Sequence, residues 1–579
     1  MKGLNSFLDK YLVKIITLGA LGLFAGMFIF YFSQNDTLLY GDARSRLLIA
    51  RRVFDSLTPG LTQLGSVWPP LPQMLTLPTI WNNFFFYSGL SGSLISILSV
   101  TLATYFLARM VLEISKSKFV ATITVLAFVL NPSLLYMATT SMPESLFISL
   151  MVISTYLIWR WSKTGNVVYL PLAGIAISAT TLTRYDGWFL VAFSALVIPT
   201  IVLLKRKPFS EIEGTFFLFS TIAFSGVVAW LIYNQLIYGN MLRFATGEGS
   251  ALTQAVGGNS VKLIKGNIVN SFLIYLSASA LNVGIVSLAV TLLASVFAII
   301  RRNYNFLLAI LLLSTPFWFN IISLFLGQSE LATGQFVTRG LSLYNVRYGL
   351  LMLPLIALGF GTLACVLNRF RLVVLVALLF QLIILFSSIP ITLREAINFN
   401  TSSQGTEQQK LATWIQNHPS SGLTLISALS NDSLVFDARI PMNKVVNEGS
   451  GKYWQAAIKN PIGIAERIII SPGERDSIWK ISQEKKNFFN NYTLVFSGVD
   501  FRVYDLEKNN ELKATETVKK LSAETSCSYT IQVGDSLWRI AKNKLGKGSY
   551  FTKIIELNKD TYFDLPIIHP GQKIVIPCS

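Results

Sequence analysis

Residues 40–72 read Tyr40-Gly-Asp-Ala-Arg-Ser-Arg-Leu-Leu-Ile-Ala-Arg-Arg-Val-Phe-Asp-Ser-Leu-Thr-Pro-Gly-Leu-Thr-Gln-Leu-Gly-Ser-Val-Trp-Pro-Pro-Leu-Pro72. Within this stretch, residues 43–54 set Leu47, Leu48, Ile49 and Val53 against Arg44, Arg51 and Arg52. Such a helix lies in a membrane interface and does not cross it. Asp42 stands at its start, where capping alone accounts for an aspartate. On either side the chain turns apolar, from Ile15 to Phe32 before it and from Phe86 onward after it. The segment therefore reads as an external loop between two membrane spans.

Composition agrees with that reading. Of 579 residues, 52% are hydrophobic and only 13% charged, against about 25% charged in an ordinary soluble domain. Apolar stretches long enough for a ~30 Å hydrocarbon layer fall near residues 15–32, 86–107, 119–136, 145–161, 167–182, 187–204, 215–238, 273–300, 306–326, 347–367 and 372–389. The first follows Lys2, Lys10 and Lys14, and no Ala-x-Ala site succeeds it, so it reads as a retained span and not as a cleaved signal peptide. With about eleven spans and a cytoplasmic N-terminus, the cytoplasmic turns hold Arg109, Lys116 and Lys118, then Arg160 and Lys163, Lys205 to Lys207, Arg301 and Arg302, and Arg369 and Arg371. That is the positive-inside bias. An odd count leaves the C-terminal third outside. The formal net charge of +18 contains no run of five basic residues, and no zinc-type cluster accompanies it, so nucleic acid is not an expected partner.

Past residue 392 the pattern changes. Alternating short strands and helices predict a small extracytoplasmic α/β domain over 393–505. Strands are expected at 423–427, 467–471, 492–497 and 501–504, with helices at 407–418, 452–458 and 475–481. Asp432, Glu448 and Trp454 read as groove residues or as surface polar groups with one core Trp. Residues 506–526 form a polar linker.

The last segment, 527–579, carries Tyr529-Thr-Ile-Gln-Val-Gly-Asp-Ser-Leu-Trp-Arg-Ile-Ala541, Ile554-Ile-Glu-Leu-Asn558 and Ile568-His-Pro-Gly-Gln-Lys-Ile-Val-Ile-Pro577. Gly534 permits a tight turn, and Asp535 or Ser536 can cap the helix that follows. Leu537, Ile540 and Ala541 have helical spacing. Pro570-Gly571 turns the chain into a second strand. This stretch resembles the LysM family. The resemblance implies a βααβ module that binds peptidoglycan or another N-acetylglucosamine-containing glycan between its two turns, with Gly534, Asp535, Ser536, Leu537, Ile568 and Pro570 in the groove. The spacer 559–566 departs from the usual length. Cys527 and Cys578 bracket the module, and antiparallel end strands would bring them together, so a disulfide is expected in an oxidising compartment. Cys365 reads as a small apolar residue within a span.

Further charges stand at the outer membrane face. Glu144 begins the fourth span, where the helix dipole alone favours a carboxylate. Arg184, Tyr185 and Asp186 sit at one corner, and Arg347-Tyr348 opens a late span. Interfacial aromatic belts account for the Tyr and Trp residues but not for these charges. In this order the features resemble the GT-C glycosyltransferases, specifically the protein O-mannosyltransferase and aminoarabinose-transferase branch, over residues 1–392. The resemblance implies inverting transfer of a sugar from a polyprenyl-phosphate-linked donor to an acceptor outside a bacterial cytoplasmic membrane. It assigns Asp42 as base and Glu144 as second acid. Arg347, Arg184 and Arg44 would take the donor phosphate, and Asp186, Tyr185, Trp68 and Tyr348 would line the substrate site. A phosphate leaving group requires no metal, the outer loops hold no Asp-x-Asp pair, and no cofactor is expected. A transporter or flippase of lipid-linked sugars, or a non-catalytic wall tether, is the alternative. No internal repeat supports the first, and a tether needs only one span.

Overall fold

The structure is a computed structural model. It describes residues 2–247, 249–250, 252–253, 258–473, 475–485, 487–507, 526–532, 534–558, 568 and 570–577. The expected linker beyond residue 507, the spacer 559–567 and Cys578 lie outside the described residues.

The chain divides into two compact units. The first comprises Met1–Asp55, Pro59–Ala412 and Asp432–Arg439, and the second the remainder. The first unit is helical. Among the described residues, seven helices have the length and hydropathy to cross a membrane, and two bent pairs raise the number to nine. Two shorter apolar helices, Lys118–Val129 and Tyr169–Thr181, occupy the places of two further expected spans. The expected span at 119–136 is cut because the helix stops at Val129 and Asn131 starts a new one, Pro132–Met137, its side chain accepting from the Leu134 amide. Proline at the first helical position suits a fresh start. The helix Ile268–Val283 meets Ile285–Ile300 at a bend of 108°, centred on Gly284, whose φ of +85° favours glycine.

Large side chains such as Leu18, Leu196, Leu204 and Leu372 stand exposed around this unit, which is the outer surface a bilayer would cover. Its interior is lined by small and hydroxylated residues. Gly361 meets Thr124, and Gly92 meets Ser141, so closely that neither position has room for a Cβ. Close helix approach of this kind replaces the hydrophobic drive that water would supply.

The loop helix spans Gly41–Arg52. It differs from the expected interfacial helix, because Arg44 and Arg46 are buried along with Leu47 and Leu48. Its polar face is turned inward onto acids and an aromatic ring instead of toward water.

The second unit contains a five-stranded sheet in the order β2-β1-β3-β5-β4, where β1 is Thr424–Ile426, β2 Val445–Val446, β3 Arg467–Ile470, β4 Tyr492–Ser497 and β5 Arg502–Leu506. Strands β1, β2 and β3 run parallel, and β5 pairs antiparallel with both β3 and β4. Trp454 is buried in the core on this sheet. Glu448 is half-buried and accepts from Ser427 Oγ at 2.6 Å and from the Ala428 amide at 2.9 Å. These two bonds tie the segment after β2 to the residues after β1. Asp432 belongs to the first unit, paired with Arg52 at 3.0 Å.

The C-terminal module has the expected βααβ order: β6 Ser526–Thr530, helices Leu537–Leu545 and Phe551–Leu557, and β7 Lys573–Pro577. Strands β6 and β7 pair antiparallel, with Cys527 opposite Ile576. Asn558 ties the second helix to β7, donating to the Val575 carbonyl and accepting from the Val575 amide at 2.8 Å.

Candidate active site

Arg347 organises one end of the first unit. It lies in a 3-10 turn, Val346–Met352, that leads into the helix Leu353–Val366. Its guanidinium reaches Asp42 Oδ2 at 2.6 Å through Nη2 and Glu395 Oε1 at 3.1 Å through Nη1. Its Nε stands 3.4 Å from Glu144 Oε1. The backbone amide of Arg347 donates to Glu395 Oε2 at 3.3 Å. The guanidinium also sits over the Tyr40 ring, 5.0 Å from its centroid, and 5.4 Å from that of Tyr348. A buried cation needs this density of partners to offset its lost hydration.

Asp42 is in the first turn of its helix, but Tyr40 holds the cap position and no side chain caps the helix. The carboxylate is spent on Arg347 and not on the helix amides. It is also the open member of the group. The Asp42 side chain is 43% exposed, against 8% for Arg347 and 1% for Glu144. The Asp42 carboxylate thus lies at the accessible edge of the group, fixed in place by a buried cation.

Glu144 joins Arg347 to a second pair. Its Oε1 accepts from Arg184 Nη1 at 2.7 Å, and Arg184 Nε donates to Asp186 Oδ2 at 3.0 Å. Asn320 Nδ2 donates to Asp186 Oδ1 at 3.1 Å. Arg184 lies over the Tyr348 ring at 4.7 Å. Burial opposes the charge of Arg184, but Asp186 and Glu144 outweigh it and hold its pKa above the ordinary arginine value. The chain Asp42–Arg347–Glu144–Arg184–Asp186 thus alternates in sign and is held together by four separate elements.

Sequence reasoning placed Asp42, Glu144, Arg184, Asp186, Arg347 and Tyr348 at one face, and the structure brings all six together. Tyr185 stands apart from the acids, its hydroxyl donating to the Val67 carbonyl at 2.7 Å and its ring stacked on Phe244. Trp68 lies under Arg46, at 4.3 Å. Arg44 pairs with Asp437 at 2.6 Å, so its charge is directed to the segment Asp432–Arg439 and not to Arg347. Two members were missed. Glu395 is in the helix Ile391–Thr401, beyond the expected end of the membrane domain, and Tyr40 read only as a flank. The Tyr40 hydroxyl donates to the Thr392 carbonyl at 2.7 Å and lies 3.1 Å from Glu395 Oε2. Burial pushes its pKa well up, so it stays a donor.

In the second unit the two expected glycan-binding turns adjoin. The Gly571 amide donates to the Ile531 carbonyl at 2.8 Å, and the Ile531 amide to that of Gln572 at 2.9 Å. Gly534 has φ +88°. Asp535 accepts from Tyr529 Oη and from the Gln532 amide, and Ser536 caps the helix through the Arg539 amide at 3.2 Å. Leu537 faces the module's core, with Ile568 packed against it. Cys527 is in a disulfide, and its expected partner, Cys578, lies outside the described residues. Cys365 is a free thiol within a helix.

Residues 529–577 match the family model "LysM domain". The C-terminal module is a LysM domain. Across most of the chain the fold is similar to that of ArnT from Cupriavidus metallidurans, solved bound to undecaprenyl phosphate: TM-score 0.51 and 13% identity, covering 84% of this chain and 98% of that one. The archaeal oligosaccharyltransferase AglB from Archaeoglobus fulgidus, in complex with an inhibitory peptide and a dolichol-phosphate, also matches, with a TM-score of 0.42 and 10% identity over 99% of this chain and 89% of that one. No curated protein matches the sequence. The chain thus pairs a fold similar to that of ArnT with a C-terminal LysM domain that follows a five-stranded sheet.

Proposed function

We propose that this protein is a membrane glycosyltransferase that moves a sugar from a polyprenyl-phosphate carrier to an acceptor outside the cytoplasmic membrane. The observation that carries the reading is the open Asp42 carboxylate clamped at 2.6 Å by the buried Arg347. In the reaction, the acceptor hydroxyl oxygen attacks the anomeric carbon and its proton passes to Asp42. The bond from that carbon to the phosphate oxygen breaks, and its electron pair leaves with the phosphate. One displacement inverts the anomeric centre. Glu144 holds Arg184 and Arg347 in place and orients the acceptor. Arg347 and Arg184 supply positive charge toward the departing phosphate, where fork-shaped donors are most effective. Asp186, Tyr185, Trp68 and Tyr348 shape the sugar and acceptor site.

A second feature supports a lipid-borne donor. An apolar groove of about 1320 Å³ runs along the exposed face of the first unit, lined by Leu196, Leu204, Leu292, Leu308, Leu311 and Trp318 among others. A polyprenyl chain is the kind of ligand that fills such a groove at membrane depth. The fold shared with ArnT, whose structure holds undecaprenyl phosphate, points the same way. On this reading the N-terminus lies in the cytoplasm and the sheet and LysM domain outside, where LysM binds peptidoglycan or a related N-acetylglucosamine glycan and holds the enzyme beside its acceptor. The test is direct. Purified full-length protein should strip labelled sugar from a polyprenyl-phosphate donor when given envelope glycans, and intact donor after prolonged incubation would count against the reading.

A further inference from the structure

Four arginines lie on the helix Gly41–Arg52, and three of them are neutralised: Arg44 by Asp437, Arg51 by Asp55 and Arg52 by Asp432. Arg46 is the exception. It is 9% exposed, and no carboxylate among the described residues lies within ion-pair distance of it. Its Nη1 donates to Gln73 at 3.4 Å, a long bond, and its Nε is buried with no partner. The guanidinium rests on the Trp68 ring, 4.3 Å from its centroid.

The neighbours cannot supply the missing anion. Arg46 lines a narrow cleft with Thr76, Ser96 and Ser141, but all three hydroxyls already donate to backbone carbonyls, those of Gln73, Thr140 and Gly89. A buried guanidinium without a counter-ion is unfavourable, and in folded proteins such a charge is paired or awaits a ligand. Burial draws the pKa of Arg46 down to about 10, against the pull of Asp42 and Glu144, so it remains charged at neutral pH.

Position gives the missing anion a chemical class. Asp42 and Arg46 are four residues apart on one helix, hence on one face, with a rise of roughly 6 Å between them. A sugar whose anomeric carbon is approached from the Asp42 side would leave its phosphate about one turn further along the same face. We propose that Arg46, held over Trp68, is a binding residue for the phosphate of the lipid donor, and that this phosphate is its counter-ion. The inference rests on the glycosyltransferase reading and adds to it a residue outside the Arg347 network. Because Arg46 spends no donor on a protein carboxylate, its whole guanidinium is available to the phosphate, whereas Arg347 and Arg184 share theirs with acids of the protein.

The experiment uses full-length protein in detergent and two probes, undecaprenyl phosphate and the neutral undecaprenol. The readout is the ratio of their affinities in wild type, Arg46→Gln, Arg46→Lys and Trp68→Ala. A loss of stability common to both lipids cancels in that ratio. The wild type should prefer the phosphate-bearing lipid, and Arg46→Gln should reduce that preference roughly tenfold or more, as expected for a charge-assisted bond. Arg46→Lys should keep part of it, and Trp68→Ala should lose an intermediate share. A wild-type preference that survives intact in both Arg46 variants overturns the inference and leaves the glycosyltransferase reading standing. A wild type that does not discriminate between the two lipids removes the reading itself, and the inference with it.

Discussion

Arg347 Nη2 and Asp42 Oδ2 lie 2.6 Å apart across 305 residues of sequence. That contact joins the start of the loop helix to the start of a late membrane helix. The cation it involves is also the partner of Glu144 and Glu395. Replacing Arg347 therefore removes the counter-charge of three acids at once. Arg347→Gln is expected to destabilise the protein by roughly 3–5 kcal/mol, the usual cost of leaving a buried charge unpaired, and to abolish transfer. Arg347→Lys should recover much of the stability but little activity, because an ammonium cannot fork to Asp42 and Glu395 together. Thermal melts in detergent and single-turnover assays separate the two effects.

Tyr40 secures Glu395 from beneath. Tyr40→Phe removes the hydroxyl that donates to the Thr392 carbonyl and reaches Glu395, leaving a buried carbonyl short of a donor. A loss of about 1–3 kcal/mol is expected, with kcat reduced and donor affinity little changed. An unchanged melting temperature would show that the hydroxyl is dispensable.

The sequence made the acids and arginines of this cluster legible for a physical reason. A charge at a span end is expensive, so each one singled out (Asp42, Glu144, Arg184, Asp186, Arg347) had to have a partner. What it did not reveal is which partner. Arg44 looked equivalent to Arg347 but is engaged with Asp437. Glu395 was invisible because it lies past the last apolar stretch, in a helix whose composition reads as soluble. Two of the eleven expected spans, 119–136 and 167–182, form the shorter helices Lys118–Val129 and Tyr169–Thr181, the first ending ahead of Asn131-Pro132. In the sheet domain, β4 was recovered at its observed bounds, whereas β2 is only two residues long, Val445–Val446, below what alternation can register. The helix Ala428–Asp437 was not read from the sequence, and Asn431 within it departs from helical φ and ψ.

In the sheet domain, burial raises the pKa of Glu448 and of Asp476. A carboxyl raised in the folded state binds protons more tightly there than in the unfolded chain. Stability is then highest at low pH and falls as pH rises from the ordinary carboxylate range, about 4, through the raised values. Hydrogen exchange of the β1 amides should accelerate over that interval beyond the intrinsic base-catalysed trend. Glu448→Gln, which keeps a neutral hydrogen-bonding group beside Ser427 and Ala428, should flatten the dependence.

The LysM domain is expected to be closed by a Cys527–Cys578 bridge. On the chain-entropy view, linking a loop of this length contributes roughly 4 kcal/mol. Unreduced, denatured protein should take up alkylating agent at one cysteine, Cys365. Uptake at three would exclude the bridge. Deleting 527–579 should leave donor turnover intact in detergent while reducing retention on purified peptidoglycan.

The most direct test of the central claim pairs two measurements on Asp42→Asn. The substitution keeps the shape of the side chain and removes its capacity to take a proton. The account predicts that sugar transfer from a polyprenyl-phosphate donor falls by roughly 10²–10⁴-fold, the usual contribution of a general base, while binding of that donor stays within a few-fold of wild type. Transfer at the wild-type rate in Asp42→Asn would contradict it.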